Sequence, residues 1–143
     1  MSAKVACAAL ALFCIVLLGP SARVAAESGG GHTQSAHAGD IARISQEAYE
    51  EMLTTSVEDR GGVKIEEGDS LRVDLFEDAE VLFFTRPGHR AHPGIVAVRI
   101  INEDGLPAVA TSGWWAGDAE AFETWFRVFQ RRNERLTREW QEK

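Results

Sequence analysis

The amphipathic segment after Asp118 is the feature that most constrains how this chain can fold. Phe122, Trp125, Phe126, Phe129, Leu136 and Trp140 recur at helical spacing along one stripe. A stripe of that size must be buried against another element, and a sheet is the natural surface for it. Asp118 stands where an N-cap carboxylate accepts first-turn amides. Glu120 and Glu123 then lie where the helix dipole favours acids, and Arg131, Arg132, Arg135 and Arg138 where it favours cations. The expectation is a long C-terminal helix whose aromatic stripe is core and whose arginine-rich outer face is solvated.

The segments before it suit a sheet. Leu71, Val73 and Leu75 alternate with Arg72 and Asp74, the period of a half-buried strand. Residues 80–86 and 94–101 are apolar on both faces and read as central strands, with 63–65 and 108–115 flanking them. Glu66-Glu67-Gly68-Asp69 reads as a turn, and Asp104-Gly105 within 102–107 is the strongest local hairpin signal. Upstream, Ile41, Ile44, Ala48 and Met52 recur at helical spacing, widened by Tyr49 and Leu53, with Asp40 as the expected cap and Gly61-Gly62 as the stop. No internal repeat is visible. The fold class is α+β: an antiparallel four- to five-stranded meander covered by an N-terminal and a long C-terminal helix, forming a single domain over 39–143.

The start of the chain has a different character. Lys4 precedes an apolar run from Val5 to Leu18, and Val24-Ala25-Ala26 before Glu27 has small residues where a signal peptidase requires them. Residues 1–26 therefore read as a signal peptide, and 27–38, rich in glycine and without apolar periodicity, as a flexible leader. The run is shorter than the roughly 20 residues of a bilayer span, so no membrane span is expected after cleavage. The expected location is periplasmic or secreted. Cleavage after Ala26 would remove Cys7 and Cys14, leaving no thiol for a disulfide, a nucleophile or a cysteine-rich zinc site.

Charge narrows the partner classes. Residues 1–26 carry Lys4 and Arg23 and no acid, so the remainder has 13 bases against 22 acids, a net −9. Such a chain is a poor binder of nucleic acid or of anionic membranes. The exception is local: no Asp or Glu occurs between Glu80 and Glu103, whereas Arg86, His89, Arg90, His92 and Arg99 all fall there.

Most of that island is the loop Arg86-Pro87-Gly88-His89-Arg90-Ala91-His92-Pro93. His89 and His92 invite a zinc or copper reading, but the prolines and glycines argue against a helix, two ligands are short of a stable site, and Arg90 between them opposes a cation. An anion suits the loop better. Arg86 and Arg90 offer forked donors, either histidine adds one when protonated, and the prolines fix the shape. The competing expectation is that these arginines pair with acids of residues 40–80. In Trp114-Trp115, neighbouring strand residues face opposite sides, so one ring meets the C-terminal helix and the other is a candidate stacking platform; Trp115 is taken as the ligand-facing one. Ser112 lacks a Gly-x-Ser-x-Gly elbow, and no phosphate loop, dinucleotide fingerprint or His-Glu-x-x-His motif is present. The acids at 66, 67, 69, 77, 78 and 80 read as solubilising turn residues.

The string Pro87-Gly88-His89-x-Ala91-His92-Pro93, with the downstream Phe122 and Trp125 helix, resembles small exported bacterial proteins of unassigned function. The resemblance covers the last half of the chain. It implies a cell-envelope location and transfers no catalytic residue. The reading is thus an exported cell-envelope binding or accessory module with no cofactor and no catalytic residue, recognising an anionic ligand or envelope protein through Arg86, His89, Arg90, His92 and Trp115. The alternatives are a small envelope enzyme using His89 or His92 as acid–base, and a periplasmic zinc- or copper-binding protein.

Overall fold

The computed structural model describes residues 40–143; the signal read at 1–26 and the leader at 27–38 lie outside the described residues. The fold is α+β, with a six-stranded mixed sheet and two helices. In chain order these are β1 (Ile41–Arg43), α1 (Gln46–Glu58), β2 (Val63–Glu67), β3 (Ser70–Leu75), a 3-10 turn (Phe76–Asp78), β4 (Glu80–Thr85), β5 (Gly94–Glu103), β6 (Leu106–Trp115) and α2 (Ala119–Gln141). The strand order is β1-β6-β5-β4-β3-β2, antiparallel throughout except for β1, which runs parallel to β6.

That parallel edge corrects the expected antiparallel four- to five-stranded sheet. Ile41 and Ile44 carry a helix-like spacing, but the backbone around them is claimed by β6. Gly113 N–H donates to the Asp40 carbonyl (3.0 Å) and Ile44 N–H to the Trp115 carbonyl (2.8 Å), which holds 41–43 extended. The helix starts only at Gln46, where the Ser45 hydroxyl accepts from Ala48 N–H at 3.0 Å. Ser45, not Asp40, is therefore the cap. The hairpins are also tighter than expected, turning on Gly68-Asp69 and Asp104-Gly105 alone.

Cross-strand register explains why both faces are apolar in the middle strands. Leu71, Phe84, Ile95 and Trp114 stand in one row and Val73, Leu82 and Ala97 in the next. With Tyr49, Met52, Leu53 and Val57 they build the core beneath α1. The intervening positions Phe83, Val96, Val98 and Trp115 point the other way, to a second core with Phe122, Trp125, Phe126 and Phe129 of α2. Each helix thus covers its own face of the sheet. Full burial of one such side chain is worth about 1.5–3 kcal/mol.

The α2 stripe changes character along its length. Phe122 and Phe126 are buried, but further on Asn133 donates to the Thr111 hydroxyl (2.8 Å) and the Thr137 hydroxyl accepts from Val109 N–H (3.0 Å). The second half of the helix therefore docks by polar pegs and supplies an acceptor to an amide on the edge of β6. Leu136 and Trp140 are only half-buried.

One acid is not the solubilising turn residue it resembled. Glu80 opens β4 at 5 % exposure, with Arg60 on one carboxylate oxygen (2.6 Å) and Arg99 on the other (2.9 Å). Arg99 stands directly across from it in the ladder. Arg60, just beyond α1, also reaches Asp78 at 2.7 Å. The cluster ties the end of α1 to the sheet.

Candidate functional site

The 86–93 loop joins β4 to β5 and is built from two successive tight turns. His89 N–H donates to the Arg86 carbonyl at 3.0 Å. Pro87 takes the position whose φ proline pre-sets, and Gly88 follows at φ 101°, a conformation that L side chains rarely adopt. His92 N–H then donates to the His89 carbonyl at 3.0 Å. The His92–Pro93 bond is cis. Arg86 N–H to the Asp69 carbonyl (2.8 Å) and Ala116 N–H to the Pro93 carbonyl (2.8 Å) moor the two ends. Ala91 is fully buried at the margin of the α2 core. A Cβ on Gly117 would lie 2.4 Å from the His92 carbonyl oxygen, so only glycine lets the β6–α2 connection pass this close.

The two histidines turn to different helices. His92 packs edge-on against Tyr49 of α1, with ring centroids 5.4 Å apart. Its Nδ1 lies 2.9 Å from the Thr85 carbonyl, which can only accept, so the ring hydrogen sits on Nδ1. Tyr49 hydroxyl donates to the same carbonyl. Thr85 hydroxyl accepts from Gly94 N–H (2.8 Å) and donates to the Gly94 carbonyl (3.1 Å), closing the base of the loop. Burial pushes the Tyr49 phenol above its ordinary value, and the nearby Glu50 charge adds to the shift.

His89 faces the other way. It packs edge-on against Trp125 of α2 at 5.1 Å, and its side chain is 13 % exposed. Its Nδ1 accepts from Ala91 N–H at 3.0 Å, which leaves the hydrogen on Nε2, directed towards Asp69 at 3.9 Å. The tautomers of the two rings are opposite, and each Nδ1 is engaged in holding the loop. A shared metal would need both rings to converge, which this arrangement does not provide. Among the described residues no group of three or more His, Cys, Asp or Glu side chains is placed to hold a metal ion.

The arginines remain outside. Arg86 is exposed and makes a loose ion pair with the exposed Glu66 at 3.5 Å. Arg90 is exposed at the second turn, and its side chain has no ion pair or hydrogen bond among the described residues. Arg99 belongs to the Glu80 cluster and not to this loop. The charge island of the sequence is therefore partly neutralised in space by Glu66, Asp69 and Glu80.

Trp115 does not extend freely beside the loop. It stacks on Phe122 with ring centroids 5.7 Å apart and planes 21° apart, so of the two tryptophans it is the one that meets α2. Trp114 packs on the α1 side. Trp115, Phe122, Trp125 and His89 form a continuous run of ring contacts leading back to the loop. Ser112 lies in β6 opposite Ala97, three residues along β5 from Gly94, where the loop ends.

Tyr49, Thr85, Asp69 and Trp125 all hold the loop, and sequence reasoning assigned none of them to it. Their local signals were those of ordinary helix, strand and turn residues; only the tertiary fold brings them together. No protein-family model, curated protein or solved structure matches the chain. No helix among the described residues is long and apolar enough to cross a membrane.

Proposed function

We propose that the chain is an exported cell-envelope binding module, and that its 86–92 loop recognises an anionic ligand or an acidic segment of a partner protein. Arg86 and Arg90 are the donors. His89 and His92 are the braces, each fixing the loop against one helix. The observation that carries this reading is the exposed Arg90 guanidinium, without an ion pair among the described residues, on a backbone moored at both ends. A forked donor on a preshaped loop matches a carboxylate or phosphate at low ordering cost. The histidines are read as braces because each engages Nδ1 with the backbone and packs its ring on a helix side chain.

Glu66 and Asp69 stand beside the loop, so attraction from a distance is weak and recognition depends on direct contact. Calorimetric titration of citrate, inorganic phosphate and an oligoglutamate peptide tests the proposal. At least one probe should bind, more weakly as salt rises, since exposed charges are screened over about 8–10 Å at ordinary ionic strength. Replacing Arg86→Ala and Arg90→Ala together should abolish that binding with the circular dichroism spectrum unchanged. Binding that survives the double substitution contradicts the assignment.

A further inference from the structure

The sheet ends on one side at β2, whose five residues are all exposed. The opposite side ends in the three-residue β1, and Thr137 covers an amide of β6 beyond it. β2 is thus the longer of the two edge strands and is exposed along its whole length, and open edges are templates for another strand.

The backbone directions along that edge follow from the ladder. Arg86 N–H donates to the Asp69 carbonyl, which sets the odd-numbered residues of β3 bonding to β4. Ser70, Arg72 and Asp74 therefore bond to their register partners Glu67, Ile65 and Val63. Lys64 and Glu66 are left with amide and carbonyl directed outward.

A second copy of β2 can pair antiparallel in only three ways that oppose outward-directed residues. Two of them set Lys64 on Lys64 or Glu66 on Glu66. The third sets Lys64 of each copy on Glu66 of the other, forming two unlike pairs by symmetry. It also places Ile65 against Ile65 at a non-hydrogen-bonded position, where opposed side chains come closest. Ile65 and Val63 are 38 % and 48 % exposed and share that face. An edge lysine ordinarily discourages pairing. A glutamate two residues on makes this edge complementary to itself.

We infer that the protein forms a two-fold dimer through antiparallel β2–β2 pairing centred on Ile65, joining two sheets into one. A two-fold interface uses one patch twice, and this patch is the rare kind whose charges agree with that symmetry. Glu66 must exchange its Arg86 contact for Lys64 of the second copy. The present contact is 3.5 Å between exposed groups, a pair of small worth. An interface of one short strand is small, so a dissociation constant on the order of 10–100 µM is expected.

Sedimentation velocity of the purified protein from about 1 µM to about 1 mM reads this directly. The wild type should shift from monomer to dimer across that range. Lys64→Glu and Glu66→Lys should each weaken the dimer at least about tenfold, and an equimolar mixture of the two variants should restore it as a heterodimer. Lys64→Pro removes an outward amide and no ladder bond, so it should leave a folded monomer. A wild type that stays monomeric throughout overturns the inference. So does a dimer that survives Lys64→Pro, or one that the charge reversals leave intact.

Discussion

At Thr85 one backbone carbonyl accepts from both the Tyr49 hydroxyl and His92 Nδ1, so two elements and the loop meet on a single oxygen. Tyr49 is the only tyrosine in the chain, which lets its phenol be followed by ultraviolet absorbance without interference from another. Burial raises it, so its alkaline midpoint should lie above the ordinary value of about 10. The folded state then keeps a proton that the unfolded state releases. The stability this contributes is complete below about pH 10 and is lost as pH climbs towards the folded value. Tyr49→Phe should remove that alkaline loss, and should cost about 0.5–1.5 kcal/mol at neutral pH through the missing hydrogen bond. Urea denaturation of both proteins at neutral and alkaline pH checks both parts. An ordinary midpoint would mean that the hydroxyl is solvated.

Among the elements, α2 carries the largest single side-chain contribution to the second core. Phe122 is fully buried against Trp115, Trp125 and Phe126, so Phe122→Ala should cost about 3–5 kcal/mol by urea denaturation. A loss below about 1 kcal/mol would mean that the helix is not seated on the sheet. Glu80→Ala should cost about 1–3 kcal/mol, because two charge-assisted contacts go but both arginines retain access to water. An effect within about 0.5 kcal/mol would place Glu80 among ordinary surface residues. The helix α2 and the five strands from β2 to β6 were legible in the sequence, since their signals are local. β1 was not, because Ile41 and Ile44 satisfy a helical spacing and only β6, some seventy residues on, holds them extended. Glu80 was misread for the same reason: its partners Arg60 and Arg99 are distant in sequence and adjacent only in the folded ladder. The loop was legible as a place, through its prolines and glycines. The roles within it were not, because the directions of His89 and His92 depend on Trp125 and Tyr49.

Over the whole molecule, charge and shape divide the work. Acids outnumber bases, yet the arginines at 60, 72 and 99 are drawn into ion pairs with Asp78, Asp74 and Glu80 that bind the fold together. Arg86 and Arg90 are different: the first is loosely paired at the rim, and the second has no partner among the described residues. Braces and donors are thus different side chains, and the separation can be measured. The most direct measurement pairs urea denaturation with calorimetric titration of the anion panel for wild type, His92→Ala, and Arg86→Ala/Arg90→Ala. His92→Ala should lose about 1–3 kcal/mol of stability, since it removes a partly buried hydrogen bond and ring contact. The double arginine variant should stay within about 0.5 kcal/mol of wild type and yet lose anion binding. An arginine variant that binds as well as wild type, or a panel in which no anion binds, would contradict the account.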